Sequence, residues 1–371
     1  MIRISKLYSV LVLLALLGLS SCDDSLPGQP FAIPVDTLAG RNGNILFSKI
    51  YPLEFPPRAE VLNVDPTNGV TTGIDVDGLM LSKPGNERLA YIKIHDIFGA
   101  MDLFTIGPTG NQKTVMETEV DAKTHWLVWT SAAISPDGQK VAYGVEDINT
   151  GQTSLWIIVS GPGSVGPRPV KVADNFAQAT VPFFSPDGNS LAYFTQEHDG
   201  ISPIIGQDGF AIANVQATPT PNQIYQGQFT LMGDESIEWS PDGSKVMFGV
   251  GPELHTYTPG NGDKTLLANA THGAYSPDGS RIVYSDVMAG YQLVIRDLAS
   301  GNTTPLTADV GFVCYYPQWS PDGKFILYSS VPQVGTDDNL AEIKVMQISN
   351  RETKTVGNEA LRAFWLRKLN P

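Results

Sequence analysis

The sequence predicts an all-β fold: a β-propeller of four-stranded blades whose ring closes when the C-terminal strand pairs with the N-terminal blade. Seven blades is the count the repeats give, with six or eight left open. Three observations carry this. The composition is rich in turn formers and poor in charge, with 36 glycines and 27 prolines among 371 residues and only 17% charged, against about 25% in ordinary soluble domains. Helix surfaces draw on Glu, Lys and Arg, whereas tight turns draw on Gly, Pro, Asn and Asp. One tetrapeptide, Ser-Pro-Asp-Gly, recurs five times. Finally, the two ends of the chain hold complementary fragments of a single repeat.

Residues 1–21 read as a secretory leader. Arg3 and Lys6 supply its positive end, and 7–19 is nearly all apolar. That core is short for a membrane span, which needs about 20 residues. It ends in Leu19-Ser20-Ser21-Cys22, which resembles the bacterial lipobox, where small residues precede a cysteine. The resemblance implies that Cys22 becomes a lipidated N-terminus, held on a membrane by about 0.8 kcal/mol per buried methylene. Residues 22–39 are then the lipidated cysteine and a flexible polar stalk, with Pro27, Gly28, Pro30 and Pro34. Asp23 and Asp24 resemble the sorting signals that follow such cysteines. The expected place is the cell envelope, at the outer membrane rather than the inner. Cys314 is the only other cysteine, so the mature chain forms no disulfide; its apolar neighbours predict a buried, inert thiol.

Residues 40–371 form the propeller. The five copies of the tetrapeptide stand at 135–138, 185–188, 240–243, 276–279 and 320–323, and Ser82-Lys83-Pro84-Gly85 is a degenerate sixth. Before each full copy stands Ile134, Phe184, Trp239, Tyr275 or Trp319. After each comes a short apolar run, such as Val141-Ala142-Tyr143, Leu191-Ala192-Tyr193 or Ile326-Leu327-Tyr328. Proline presets the φ of the second turn position, Asp suits the third, and Gly accepts the positive φ that follows. Strand, turn and strand make a hairpin. Further apolar runs, such as 293–298 leading to Ser300-Gly301-Asn302, add two more strands to each unit. A unit of four short strands cannot bury both faces alone, so neighbours stack radially.

The chain ends supply the closing blade. Ile45-Leu46-Phe47 and 61–65 resemble the later strands of a unit that lacks its first strand. Ala363-Phe364-Trp365-Leu366 resembles a first strand without the rest. Joined, they leave no raw edge.

An aromatic or aliphatic residue, Ser-Pro-Asp-Gly, then an aliphatic strand ending in Tyr or Phe: over about residues 40–368 this resembles the WD-like β-propeller repeats of TolB-type proteins. The resemblance implies a propeller whose relatives mostly bind proteins, with a minority that bind sugars or carry catalytic sites. It is specific for fold and weak for function.

Catalytic signatures are sparse. No Gly-x-Ser-x-Gly is present, since Pro162-Gly163-Ser164-Val165-Gly166 lacks the leading glycine, so a peptidase is not expected. The five histidines, His95, His125, His198, His255 and His272, form no metal-binding motif. Asp75-Val76-Asp77-Gly78 and Asp337-Asp338 do not continue into a calcium loop. The aspartates of the tetrapeptide, Asp137, Asp187, Asp242, Asp278 and Asp322, belong to turns. A net charge of −14 repels phosphate backbones, so nucleic acid is not an expected partner.

These readings converge on a membrane-anchored lipoprotein whose propeller binds an envelope protein, without cofactor, metal or catalytic residue. Membrane contact runs through the lipid on Cys22. The candidate binding residues, placed on loops near first strands, are His125, Trp126, Asp234, Glu235, His272 and Tyr315. The competing role for the aromatics is packing between blades. A second reading is a polysaccharide-binding or metal-dependent, lyase-like propeller, with a glycan as partner and His125 and His272 near one mouth of the channel.

Overall fold

The computed structural model describes residues 45–365 apart from 52–57, 66–70, 77, 81–87, 95–100, 108–113, 118–124, 148, 160–168, 177, 197–208, 216–219, 227–235, 259–261, 334–340 and 359–362. The leader, Cys22 and the stalk lie outside the described residues, as do the degenerate turn at 82–85, Asp234 and Glu235.

The strands form seven four-stranded antiparallel sheets. β1 (Ile45–Tyr51), β2 (Arg58–Val64) and β3 (Thr71–Val76) belong to blade 1. Blade 2 holds β4 (Gly78–Met80), β5 (Leu89–Ile94), β6 (Met101–Ile106) and β7 (Thr114–Glu117). Blade 3 holds β8 (His125–Ile134), β9 (Lys140–Asp147), β10 (Thr153–Val159) and β11 (Val170–Phe176). Blade 4 holds β12 (Gln178–Phe184), β13 (Ser190–Gln196), β14 (Gly209–Asn214) and β15 (Thr220–Gln226). In blade 5 are β16 (Ile237–Trp239), β17 (Val246–Val250), β18 (Glu253–Thr258) and β19 (Gly262–Ala268). In blade 6 are β20 (Ala270–Tyr275), β21 (Arg281–Asp286), β22 (Gln292–Asp297) and β23 (Thr303–Pro305). Blade 7 is β24 (Phe312–Trp319), β25 (Phe325–Pro332), β26 (Glu342–Gln347) and β27 (Thr353–Asn358). The last strand, β28 (Ala363–Trp365), pairs with β1 and completes blade 1, with Ile45 opposite Trp365 and Leu46 opposite Phe364.

The core is divided among the blades. Successive side chains of a strand point to opposite faces, so each apolar run splits between two neighbours. Val141 and Tyr143 pack toward blade 2, whereas Ala142 between them packs toward blade 4. Every consecutive pair of blades shares one such cluster. The last joins Phe325, Leu327, Ile343 and Val345 of blade 7 to Ile45, Val64 and Trp365 of blade 1. That layer closes the ring. First strands stand beside first strands round the axis, as β8 does beside β12 and β20 beside β24, while outer strands such as β23 are exposed.

The tetrapeptide builds more than a reversal. In each full copy the glycine has φ near +70°, between 69° and 72°, where a Cβ is disfavoured. The serine hydroxyl donates to the aspartate two residues on. It also accepts the N–H of the residue five positions on, at or just before the start of the second strand, at 2.9 Å in every copy. The aspartate accepts the N–H that follows the glycine. The five aspartates therefore serve the turns. Consecutive turns also lie close: a Cβ at Gly188, Gly243, Gly279 or Gly323 would come 3.6–3.8 Å from the proline of the preceding blade's turn. Tryptophans before two of the turns tie blades together, Trp239 Nε1 donating to the carbonyl of Phe183 and Trp319 Nε1 to that of Ala274.

Candidate functional site

A four-stranded blade places its first and third turns on one face of the ring. Its second turn and the connector to the next blade lie on the opposite face. The Ser-Pro-Asp-Gly turns occupy the first of these faces, so variable chemistry gathers on the second. Four first strands are interrupted on their way from it: the pairing register slips between Val128 and Ala132, Thr180 and Phe183, Thr271 and Ala274, and Tyr315 and Gln318. Such bulges re-aim side chains at a sheet edge or rim.

In blades 6 and 7 the bulge holds an aromatic residue in the left-handed region, His272 with φ 53° and Tyr316 with φ 51°. That conformation costs on the order of 1–3 kcal/mol for a residue other than glycine and persists because packing supports it. His272 is buried. Its Nδ1 lies 2.6 Å from Thr271 Oγ1, and its ring meets Tyr316 at 4.4 Å and Tyr315 at 5.0 Å between centroids. Tyr315 in turn meets Tyr291 at 5.3 Å, edge to face. Tyr291 is a third aromatic with positive φ, at 62°. The three tyrosines are half-buried, each presenting part of its surface to solvent. Behind them Cys314 is buried, its thiol pushed up to about 11 by desolvation, and its carbonyl accepts a hydrogen bond from Ser285. Its burial is what the sequence predicts.

The structure thus brings together two of the candidate residues, His272 and Tyr315, across the boundary between blades 6 and 7. Both sit within first strands rather than on loops, because the bulges extend β20 and β24 past the point where the apolar pattern breaks. His125 and Trp126 open β8, pairing with Asp147 and Glu146 of β9; they belong to blade 3, three blades round the ring from blade 6. Tyr291 and Tyr316 are members that sequence reasoning missed. The available signal was positional: His272 and Tyr316 both stand four residues before the repeat serine and are followed by Gly273 and Pro317.

Among the described residues, no group of three or more His, Cys, Asp or Glu side chains could hold a metal ion. His255 is buried in β18, where Nε2 lies 3.1 Å from Glu253 and the ring stacks on Phe248. His95, His198 and Asp337-Asp338 lie outside the described residues. No helix among the described residues is long and apolar enough to cross a membrane.

No known family profile and no curated protein matches the chain. Solved structures do. TolB from Acinetobacter baumannii superposes with a TM-score of 0.50 at 18% identity, over 98% of this chain and 94% of its own. The fold is a β-propeller, similar to that of TolB. The β-propeller domain of the Trilobed protease from Pyrococcus furiosus superposes with a TM-score of 0.59 at 10% identity, over 86% of this chain and 93% of its own. That domain has an open velcro topology, whereas this propeller is fastened by β28 on β1. An oligogalacturonate lyase in complex with manganese superposes with a TM-score of 0.55 at 15% identity, over 77% of this chain and 82% of its own. At these identities the likeness establishes the propeller and leaves the chemistry to the site itself.

Proposed function

We propose that the protein is a lipid-anchored binding module of the bacterial cell envelope, exported by the leader at 1–21, tethered through Cys22 at the outer membrane, and holding a partner protein on the His272–Tyr315–Tyr316–Tyr291 face of its propeller. The observation that carries this reading is the aromatic cluster at the blade 6–blade 7 boundary. Half-buried tyrosines on a rigid frame lose little entropy on binding and are favoured at protein interfaces. The left-handed aromatics stand at equivalent positions of two bulged first strands, where the bulge re-aims their rings at the rim, and such strain concentrates at functional sites. The likeness to TolB supports the binding reading by analogy of fold.

The test is affinity capture of the full chain from detergent-solubilised membranes, compared with the Tyr315→Ala/Tyr316→Ala variant. A discrete protein recovered with the native chain and lost with the variant supports the proposal. Equal recovery from both refutes the site. Manganese-dependent cleavage of oligogalacturonate by the purified chain refutes the binding-module reading in favour of a lyase.

A further inference from the structure

Beside the aromatic cluster, on the same face of the ring, the turn between β21 and β22 and the connector from β23 to β24 frame a groove of about 530 Å3. Both segments are held rigidly. Asp286 Oδ1 accepts the backbone N–H groups of Met288 and Ala289, at 2.9 and 3.2 Å. Gln292 clamps the connector from both ends of its amide. Nε2 donates to the carbonyls of Asp309 and Phe312, and Oε1 accepts the N–H of Asp309. Thr307 Oγ1 accepts the N–H of Leu293 at 2.8 Å, in a buried setting.

What these rigid segments hold out to water is apolar. Val310, at the groove, is 96% exposed, and Met288, between the lining residues Asp286 and Ala289, is 78% exposed. Of the large hydrophobic side chains among the described residues, only Val170 is otherwise exposed. Beside a groove, such exposed side chains offer a partner apolar surface to bury. The groove is also one-signed: Asp286 and Asp309 line it, and no Lys, Arg or His does among the described residues. One wall is Thr303 and Pro305 of β23, the outer strand of its sheet, exposed at every residue. An edge of this kind accommodates an extended chain.

We propose that the groove docks an extended polypeptide segment of a partner protein in which basic side chains alternate with apolar ones. The basic groups meet Asp286 and Asp309, the apolar groups meet Met288 and Val310, and the segment runs beside β23. The proposal deepens the binding-module reading and rests on it, but it uses none of the aromatic residues assigned above, so the two fail separately.

The experiment measures fluorescence anisotropy of a labelled octapeptide of alternating arginine and leucine, titrated with the full chain, against the same peptide with glutamate for arginine. The arginine peptide is expected to bind about tenfold more tightly, the effect of two exposed ion pairs, and to weaken as salt rises. Asp286→Asn/Asp309→Asn, which keeps the turn-capping oxygen of residue 286, removes that preference. Met288→Ser/Val310→Ser weakens the arginine peptide about fivefold or more, since two apolar anchors are lost. Both pairs lie at exposed or half-exposed turn positions, and hydrogen exchange of 288–290 and 307–312 gives a second readout in the native chain. Protection of those amides by the arginine peptide supports the site. Equal binding of the two peptides, insensitivity to Met288→Ser/Val310→Ser, or protection by maltohexaose and not by the peptide overturns it. A peptide that binds normally to the Tyr315→Ala/Tyr316→Ala variant, when that variant still captures the envelope partner, leaves the groove standing and removes only the aromatic site.

Discussion

Replacing Ser276 with alanine removes one oxygen that serves two neighbours in the turn joining β20 to β21. Ser276 is fully buried. Its hydroxyl donates to Asp278 Oδ1 at 2.5 Å and accepts the N–H of Arg281 at 2.9 Å. Loss of the acceptor leaves a largely buried N–H unsatisfied, at about 1–3 kcal/mol. The Asp278 carboxylate lies near the surface, so solvent screening holds its share to about 1 kcal/mol or less. Together the variant is expected to lose about 2–3 kcal/mol. The loss also depends on pH. The Ser276 hydroxyl, followed by the Ser280 backbone N–H, lowers Asp278 in the folded state to about 2 from its ordinary 3.8. A depressed carboxyl contributes stability that is present above its unfolded value and lost as pH falls toward the folded one. The gap between native and variant protein should therefore be widest at pH 7 and shrink between pH 4 and 2. Urea unfolding followed by tryptophan fluorescence at several pH values measures both parts. A variant within about 0.5 kcal/mol of native at pH 7, the range of an unremarkable surface change, or a gap that does not narrow in acid, refutes the account of the turn.

Trp365→Ala opens the fastening layer between blades 7 and 1, and a buried tryptophan removed from a packed cluster costs about 3–5 kcal/mol; an unchanged urea midpoint would show that β28 does not hold the ring. Asp242, like Asp278, is lowered to about 2, chiefly by its serine hydroxyl, and Asp187 is lowered for the same reason. Overall stability in urea should accordingly decline as pH falls from 4 to 2, and Asp242→Asn/Asp278→Asn should flatten that decline. Incorporation of radiolabelled palmitate should be abolished by Cys22→Ser, and unchanged labelling would discard the anchor.

The sequence announces the propeller because its signals are local. Each Ser-Pro-Asp-Gly satisfies its own turn within five residues, as Ser135, Asp137 and Lys140 do in blade 3. The apolar residues that follow alternate between two neighbouring cores. Closure was legible as well, since Ile45-Leu46-Phe47 lacks an inner partner and Ala363-Phe364-Trp365 lacks an outer one. The site is another matter. His272 and Tyr315 are both visible as candidates, but their contact depends on two bulges in different blades. Tyr316 in isolation reads as an ordinary strand residue; only its position four residues before the repeat serine, shared with His272, marks it, and its ring contact with His272 joins two blades that no local pattern relates. Gln292 likewise clamps a connector 17 residues away, and nothing in its immediate neighbours marks it for that task. Asp234 and Glu235 fall outside the described residues.

Placing a photocrosslinking amino acid at position 315 in living cells, with position 244 on the opposite face as control, asks whether the aromatic boundary of blades 6 and 7 meets a partner. A discrete protein adduct at 315 and none at 244 is the predicted result; the same adducts at both positions, or none at 315, would contradict it.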